Sequence, residues 1–296
     1  IMTRKKPLAA AVIAACLLIT GTGCTMLPAG NPSMGIIDIV PTPAPELTST
    51  PKPTPALQTP PVATASPEPA VTDALAAATP DPNVGLPPQE TPDPSKPMVA
   101  LTFDDGPSKK TERILDVLEQ YGAHATFFVV GIQLEKFPEI VKRASDLGCE
   151  IGNHTYNHKN LTKISPDEMR EQINGVNRLV LEATGKEPAL VRPPYGAGIK
   201  DETVKANVAY PLIMWTIDTL DWSTRDTQST LEAIRKDMKD GSIVLMHDLY
   251  DPTAAAVETI VPELIEQGYQ LVTVSEMFAA KGIALEPGKY YRKAFE

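Results

Sequence analysis

Two segments of the chain carry side chains that could bind a metal ion and drive hydrolysis. The acidic pair Asp104 and Asp105 closes one apolar run, and the histidines His154 and His158, four residues apart, follow another. Two imidazoles and one carboxylate form a ligand set that leaves coordination positions open for water and substrate. The second carboxylate of the pair is then available as a base. The combination predicts a metal-dependent hydrolase.

These side chains must be positioned by strands that alternate with helices. Short apolar runs bounded by turn residues predict strands at 99–103, 125–130, 150–153, 189–192, 212–217, 242–247 and 269–274. Helical patterns lie between them, at 111–120, 166–183, 227–238 and 254–266. Ser165 is predicted as an N-cap, with Pro166 as the first helical residue and Gly185 ending the helix.

Alternation of strand and helix over this length predicts parallel strands in an α/β domain. Seven or eight such units favour a barrel, with an open doubly wound sheet as the alternative. In both architectures the catalytic side chains lie where strands end and loops begin. Asp104, His154, Arg192, Asp218 and His247 each end or closely follow a predicted strand.

The first 24 residues are predicted to be a signal peptide of the lipoprotein type. Basic residues precede the apolar run 8–19, which is too short to span a bilayer comfortably. Small residues before Cys24 resemble a bacterial lipoprotein processing site, and Cys16 is the alternative lipidation site. An uncleaved anchor and ordinary secretion are the remaining readings. The protein is therefore expected to be exported and anchored at a membrane.

The segment 25–96 is rich in proline, threonine and alanine and is predicted to be a disordered linker. Such a tether could carry a domain from a membrane into a cell wall. A single catalytic domain is predicted over 97–281, followed by a C-terminal tail over 282–296. Cys149 lies in this domain without a partner there and is predicted to be buried and inert. The formal net charge of −10 disfavours nucleic acid as a partner and suits a neutral glycan.

Five motifs in order resemble the polysaccharide deacetylase family, the NodB-homology domain of carbohydrate esterase family 4. They are the segments Thr102–Gly106, His154–His158, Arg192–Tyr195, Asp218–Trp222 and Leu245–His247. The resemblance implies a distorted (β/α) barrel, in agreement with the strand and helix pattern. Both Asp104 and Asp105 are present, so a metal-free mechanism is disfavoured.

The resemblance also implies a role for each site residue. Asp104 would be the general base, oriented by Arg192, and His247 would be the general acid. The aspartate that tunes His247 is assigned to Asp221, with Asp218 as the alternative. The implied metal ligands are Asp105, His154 and His158. The residues implied to contact the substrate are Tyr195, through its backbone N–H, and the pocket walls Trp222 and Leu245.

The sequence thus predicts a zinc-dependent enzyme that removes N-acetyl groups from N-acetylglucosamine units of a cell-envelope polysaccharide. Peptidoglycan is the preferred substrate, because the tether would deliver the domain into the wall. Cobalt, nickel and manganese are the alternative metals. The rival functions are an O-acetyl esterase of the xylan type, a chitin-oligomer deacetylase and a non-catalytic wall-binding module. The expected partner is a glycan, the membrane is contacted only through the N-terminal anchor, and the protein is expected to be a monomer.

Overall fold

The computed structural model describes residues 91–295. The predicted signal peptide, both candidate lipidation cysteines and nearly all of the predicted linker lie outside the described residues. Between residues 91 and 295, no helix combines the length and the apolar composition that crossing a membrane requires.

Eight strands and nine α-helices are found in residues 91–295. The strands are β1 Met98–Asp104, β2 Thr126–Val129, β3 Glu150–Asn153, β4 Leu212–Ile213, β5 Ile217–Asp218, β6 Ser242–His247, β7 Gln270–Leu271 and β8 Tyr290–Tyr291. The helices are α1 Lys109–Tyr121, α2 Gly131–Leu134, α3 Pro138–Asp146, α4 Pro166–Thr184, α5 Glu202–Val208, α6 Asp221–Thr224, α7 Thr227–Asp237, α8 Asp251–Glu266 and α9 Val274–Ala280.

The strands pair in parallel in the order β3-β2-β1-β6-β5, with β7 also on β1 and β8 on β4. Single parallel bridges from Asn153 to Val191 and from Val191 to Leu212 continue this row from β3 to β4. Parallel strands place their carboxyl ends at one edge, so the loops after β1, β3 and β6 meet there.

The row of strands curls round into a distorted barrel. The guanidinium of Arg192, which follows the Val191 bridge, donates hydrogen bonds to Thr102 and Asp104 of β1. In a flat sheet β1 and the segment at Val191 would be separated by three strand spacings, roughly 14 Å, because β2 and β3 lie between them. An arginine side chain cannot reach that far. Only a curled sheet brings them together, so the predicted distorted (β/α) barrel is confirmed.

Strand β1 is buried on both faces, as expected for a parallel strand covered by helices. Val99, Leu101 and Phe103 pack in the large core beneath the outer helices. Ala100 packs in a second core inside the barrel. Because side chains alternate along a strand, Thr102 and Asp104 share the inner face with Ala100. This alternation directs Asp104 toward Arg192.

Several predicted boundaries are confirmed and several are wrong. Helix α4 begins at Pro166 under the Ser165 cap and ends at Gly185, which is left-handed with φ 74°, as predicted. The predicted strand 212–217 is split into β4 and β5, and the predicted strand 189–192 contributes only the Val191 bridges. Helices α2, α3, α5, α6 and α9 were not predicted. Beyond residue 281, β8 pairs with β4 and Ala294 is buried.

Candidate active site

A cleft of about 420 Å³ opens at the carboxyl ends of the strands. It is lined by side chains from the ends of β1 and β6, from the loop after β3 and from the segment after the Val191 bridge. Asp104 and His247 are direct neighbours in the register of β1 and β6. The topology therefore gathers residues that lie up to 146 positions apart in the sequence, from Asp104 to Tyr250.

Asp105, His154 and His158 face one another in the cleft, with one ligand atom from each residue lying within 4.8 Å of the others. Asp105 Oδ1 is 3.5 Å from His154 Nε2 and 3.3 Å from His158 Nε2. This oxygen is buried and accepts no hydrogen bond within residues 91–295. A buried carboxylate oxygen left without a donor between two imidazoles fits a bound cation.

The protonation of His154 also fits a metal ligand. Its Nδ1 lies 2.6 Å from the carbonyl oxygen of Arg192, which can only accept, so Nδ1 carries the proton and Nε2 presents a lone pair to the cluster. Burial lowers the pKa of His154 to about 3, so the ring is neutral at physiological pH. The three residues thus fit a divalent transition metal such as zinc.

Three residues of this cluster and its loop have left-handed backbone conformations. The φ angles are 72° at Asp105, 68° at Thr155 and 59° at His158. Such conformations cost of order 1–3 kcal/mol each in residues other than glycine, and they persist only where surrounding contacts hold them. Their position at the proposed ligand cluster is typical of a functional site.

Arg192 and Asp104 form a buried ion pair beside the cluster. Arg192 Nη1 lies 2.7 Å from Asp104 Oδ1, and the two residues are 0% and 3% exposed. The guanidinium also donates to the carbonyl oxygens of Ile213 and Met214 and stacks over the ring of Phe128. A charge that is hydrogen-bonded on all sides has little freedom, so Arg192 holds the Asp104 carboxylate in one orientation.

Burial and the neighbouring positive charges have opposite effects on the pKa of Asp104. Burial raises the pKa of Asp104 above its ordinary value, and the charges of Arg192 and His247 partly offset this rise. A carboxylate with a raised pKa is a stronger base than a solvent-exposed aspartate. Asp104 Oδ2, 3.7 Å from His154 Nε2, is the oxygen on the cluster side.

His247, which also lines the cleft, is held by Asp221. Asp221 Oδ1 lies 2.8 Å from His247 Nδ1, and Asp221 Oδ2 accepts the backbone N–H of His247 at 2.7 Å. Burial lowers the pKa of His247, but the Asp221 hydrogen bond and the nearby carboxylates outweigh burial and raise this pKa to about 9. The His247 ring is therefore protonated at neutral pH.

Asp218, the alternative partner of His247, has a different position. Its side chain is exposed, and its Oδ1 accepts the backbone N–H of Leu220 at 3.0 Å in a local turn. The structure thus places Asp221, which is 1% exposed, against the histidine.

The residues implied to contact substrate all line the cleft. Tyr195 is 70% exposed, has φ 62°, and lies with its ring edge against His158 at 4.7 Å between centroids. Trp222 is half exposed, whereas Leu245 is buried at the cleft floor. Trp215 packs on the inner core and also lines the cleft.

Sequence reasoning missed three polar residues at the site. Thr102 donates to Val244 O and accepts from Arg192, and Thr253 donates to Asp221 Oδ2 at 2.7 Å. Asp248 is 1% exposed, and burial raises its pKa to about 7. The one available signal for Thr102 was its spacing of two from Asp104, which places both on one strand face.

Two other residues lie outside this site. His124 Nδ1 contacts Glu276 Oε1 at 2.9 Å. Cys149 is buried, and burial raises the pKa of its thiol to about 12. The prediction of a buried, inert cysteine agrees with both observations.

Comparison with known proteins identifies similar chains. Residues 91–214 match the family described as polysaccharide deacetylase. The chain is 41% identical over 199 residues to the peptidoglycan-N-acetylmuramic acid deacetylase PdaC of Bacillus subtilis, covering 67% of this chain and 42% of that protein. It is 37% identical over 190 residues to a peptidoglycan-N-acetylglucosamine deacetylase of Bacillus cereus, covering 62% and 69% respectively.

The fold is also similar to solved structures. The family 4 acetyl xylan esterase from Clostridium thermocellum, in complex with a cobalt ion, superposes with a TM-score of 0.63 at 33% identity. That match covers 66% of this chain and 98% of the esterase. The chain spans about two fifths of the length of PdaC, so the likeness to PdaC concerns one region of that relative.

Proposed function

The chain belongs to the polysaccharide deacetylase family, and on this premise we propose that it is a metal-dependent hydrolase that removes acetyl groups from N-acetylated sugars of peptidoglycan. The observation that carries the proposal is the pairing of Asp104 with His247 across β1 and β6. It sets a buried carboxylate and a protonated imidazole next to each other in the cleft, beside the Asp105, His154 and His158 cluster.

Asp105, His154 and His158 would hold the metal. When bound, a divalent ion would lower the pKa of a coordinated water and polarise the carbonyl oxygen of the acetyl group. The chain supplies the remaining steps. Asp104, held by Arg192, would accept a proton from the attacking water, and the water oxygen would form a bond to the carbonyl carbon.

The leaving group is an amine, which departs poorly unless it is protonated. His247 would give its Nε2 proton to the nitrogen as the carbon–nitrogen bond breaks, because its Nδ1 is engaged with Asp221. The products are acetate and a sugar with a free amine. The backbone N–H of Tyr195 would donate to the developing oxyanion, and Trp222 and Leu245 would enclose the acetyl methyl group.

Peptidoglycan N-acetylglucosamine is the preferred substrate, as for the Bacillus cereus relative named above. A specific observation also supports N-acetylmuramic acid, the sugar in the name of PdaC. The exposed guanidinium of Arg225 lies over the ring of Tyr250, a cleft residue, 4.6 Å from its centroid. Muramic acid carries a lactyl carboxylate, which such a cation at the cleft margin would attract.

Zinc is the proposed metal, with cobalt, nickel and manganese as alternatives, because imidazole and carboxylate ligands suit all of them. The proposed setting is the bacterial cell wall. The N-terminal segment would act as an exported lipid anchor and the proline-rich stretch as its tether. The protein is proposed to be a monomer whose partner is the glycan.

Acetate release by the full chain is the test of this proposal. N-acetylated peptidoglycan, chitin oligomers and acetylated xylan would be compared, with metal-depleted protein and protein reloaded with Zn²⁺ or Co²⁺. Release should require metal, favour peptidoglycan and be abolished by Asp104→Asn. The matched control is Glu150→Gln, because Glu150 is a half-buried carboxylate outside the cleft. Metal-loaded protein that releases acetate from none of the three glycans would contradict the proposal.

The sugar is identified by mass spectrometry of the digested product. Loss of an acetyl group from glucosamine residues would support the preferred substrate, and loss from muramic acid residues would support the second candidate. Arg225→Gln should lower activity only toward muramic acid. An equal loss toward neutral chitin oligomers would argue against a carboxylate contact at Arg225.

A further inference from the structure

Asp248, the residue after His247, ties two catalytic loops together. Its side chain is buried and accepts a hydrogen bond from Thr111 Oγ1 through Oδ2 at 2.5 Å. Its carbonyl oxygen accepts from Ser108 Oγ at 2.5 Å. Ser108 is the N-cap of α1 and Thr111 lies in its first turn, so both donors belong to the segment that follows Asp105.

Gly106 lies directly against the Asp248 carboxylate. A Cβ atom added to Gly106 would lie 2.2 Å from Asp248 Oδ2 and 2.3 Å from Oδ1, closer than any real contact. Gly106 does not have a left-handed backbone conformation, so conformational freedom is not the reason for a glycine here. The reason is the close approach of the Asp248 carboxylate, which leaves no room for a side chain. The Asp248 carboxylate thus limits the movement of Gly106, which is next to the proposed ligand Asp105.

The loop at Asp105 is held from two sides. Gly106 O accepts the N–H of Val130, which follows β2, at 2.9 Å on one side. Asp248 and its hydrogen bonds to α1 provide the other. Asp105 has φ 72°, a conformation that costs free energy and persists only under such constraint. The same conformation accompanies the approach of Asp105 Oδ1 to His154 and His158.

The buried Asp248 carboxylate lowers the stability of the folded protein. Its Oδ1 is buried and has no hydrogen-bond partner within the described part of the chain. An unsatisfied buried acceptor costs roughly 1–3 kcal/mol, so an apolar residue would serve stability better here. A group that costs stability and touches both catalytic loops points to a role in arranging them.

We infer that Asp248 is a positioning residue that fixes the Asp105 loop relative to the strand end that carries His247. Within residues 91–295 its carboxylate is hydrogen-bonded to neither the proposed metal ligands nor His247, and Asp248 acts through Gly106, Ser108 and Thr111. The inference rests on the proposed function for its catalytic meaning. Its effect on the Asp105, His154 and His158 cluster is measurable without any turnover.

The test compares Asp248→Ser, which removes the carboxylate, with Asp248→Asn, which keeps its size and an acceptor. The readouts are the Co²⁺ dissociation constant from visible absorption, kcat and KM, and urea unfolding of the full chain. Asp248→Ser should weaken Co²⁺ binding by about 10-fold or more, as loss of an outer support does. It should also lower kcat by at least about 10-fold with KM nearly unchanged, because the reacting groups lose alignment.

Asp248→Asn should have a Co²⁺ dissociation constant and a kcat close to those of the wild type, because the side chain acts through its size and position and not through its charge. Glu150→Ser is the matched control, because Glu150 is a half-buried carboxylate at the start of β3 whose donors include Ser275 and Thr126. It should lower the free energy of unfolding while leaving Co²⁺ affinity and kcat as in the wild type.

Wild-type Co²⁺ affinity and kcat in Asp248→Ser would overturn the inference, as would equal losses in Glu150→Ser. If Asp248→Ser fails to fold, Thr111→Val is the second variant, because it removes the donor to Oδ2. Its Co²⁺ dissociation constant should rise by at least about threefold, and an unchanged value would again overturn the inference. A protein that binds Co²⁺ normally but releases no acetate would instead contradict the proposed function.

Discussion

Asp221 holds His247 through both carboxylate oxygens, one 2.8 Å from the ring Nδ1 and the other accepting the backbone N–H at 2.7 Å. Trp222 N and Thr253 Oγ1 donate to the same carboxylate. With its acceptor sites occupied in this way, the carboxylate cannot turn, and the histidine ring is fixed with it. The proton on Nε2 is therefore the one left to face the cleft.

Replacing Asp221 with asparagine should shift the alkaline limb of the pH–rate profile to lower pH. An acid must be protonated, so activity is present below the pKa of His247 and is lost as the pH rises through it. Burial lowers this pKa, whereas the Asp221 carboxylate is one of the groups that raise it to about 9. Without the Asp221 charge, the pKa of His247 should therefore fall. We expect kcat near pH 8 to fall by about 10²-fold, within the range of general acid catalysis. The measurement is kcat against pH for both proteins.

Asp218→Asn is the control for that experiment. Its amide oxygen can still accept from Leu220 N, and the exposed side chain has a local role in the turn. The alkaline limb should stay where it is in the wild type. A shift as large as that of Asp221→Asn would mean that Asp218 also tunes the histidine.

Removal of a proposed metal ligand should abolish tight metal binding while leaving the fold intact. His158→Ala deletes one of the three ligand atoms that converge in the cleft. We expect the Co²⁺ dissociation constant to rise by more than about 10²-fold, beyond the effect of losing an outer support. Equilibrium dialysis measures it, and circular dichroism checks folding.

His124→Gln is the matched histidine variant. His124 contacts Glu276 and is not a member of the cluster, so Co²⁺ binding should match the wild type. Loss of metal binding in His124→Gln but not in His158→Ala would refute the assigned ligands.

Arg192→Met should destabilise the protein strongly, because it leaves the Asp104 carboxylate buried without its cation. Breaking a buried ion pair in this way costs about 3–5 kcal/mol. Adding Asp104→Asn removes the stranded charge and should restore part of the free energy of unfolding, although no acetate should be released. Urea unfolding of the two single variants and the double variant measures the coupling. Strictly additive effects would show that the 2.7 Å pair contributes little.

Cys149 should react with thiol reagents only when the domain unfolds. Its side chain is buried and burial raises its pKa to about 12, so almost no thiolate exists near neutral pH. The experiment uses a chain in which Cys16 and Cys24 are replaced by serine, so that Cys149 is the remaining cysteine. Colour from Ellman's reagent should appear in urea at the unfolding midpoint. Rapid reaction of the native protein would contradict the burial.

The elements with strong local signals were predicted well. Helix α4 has a serine cap, a proline at its first position and a glycine at its end, and all three act as expected. Strands β3 and β6 occur at their predicted bounds because their apolar runs are bordered by turn residues. Helices α5 and α9 were missed because their seven residues offer too little periodicity.

The strand predicted over 212–217 is a different case. Its apolar run suggested one element, but the chain leaves β4 after Ile213 and joins β6 through β5 at Ile217. Trp215, between the two, faces the cleft in consequence. The change of partner depends on the neighbouring strands, and no local pattern records it.

The sequence alone was enough to predict parallel strands, because the pattern of strands and helices is local. It also carried the motifs of the reacting residues, and so named as candidates Asp104, Asp105, His154, His158, Arg192 and His247. The sequence favoured Asp221 over Asp218 as the neighbour of His247, and the tertiary structure decided between the two. The contacts of Thr253 and Asp248 came only from the tertiary structure. The physical reason is that strand register and loop packing set distances between residues far apart in the chain. A local pattern of residue types carries no information on those distances.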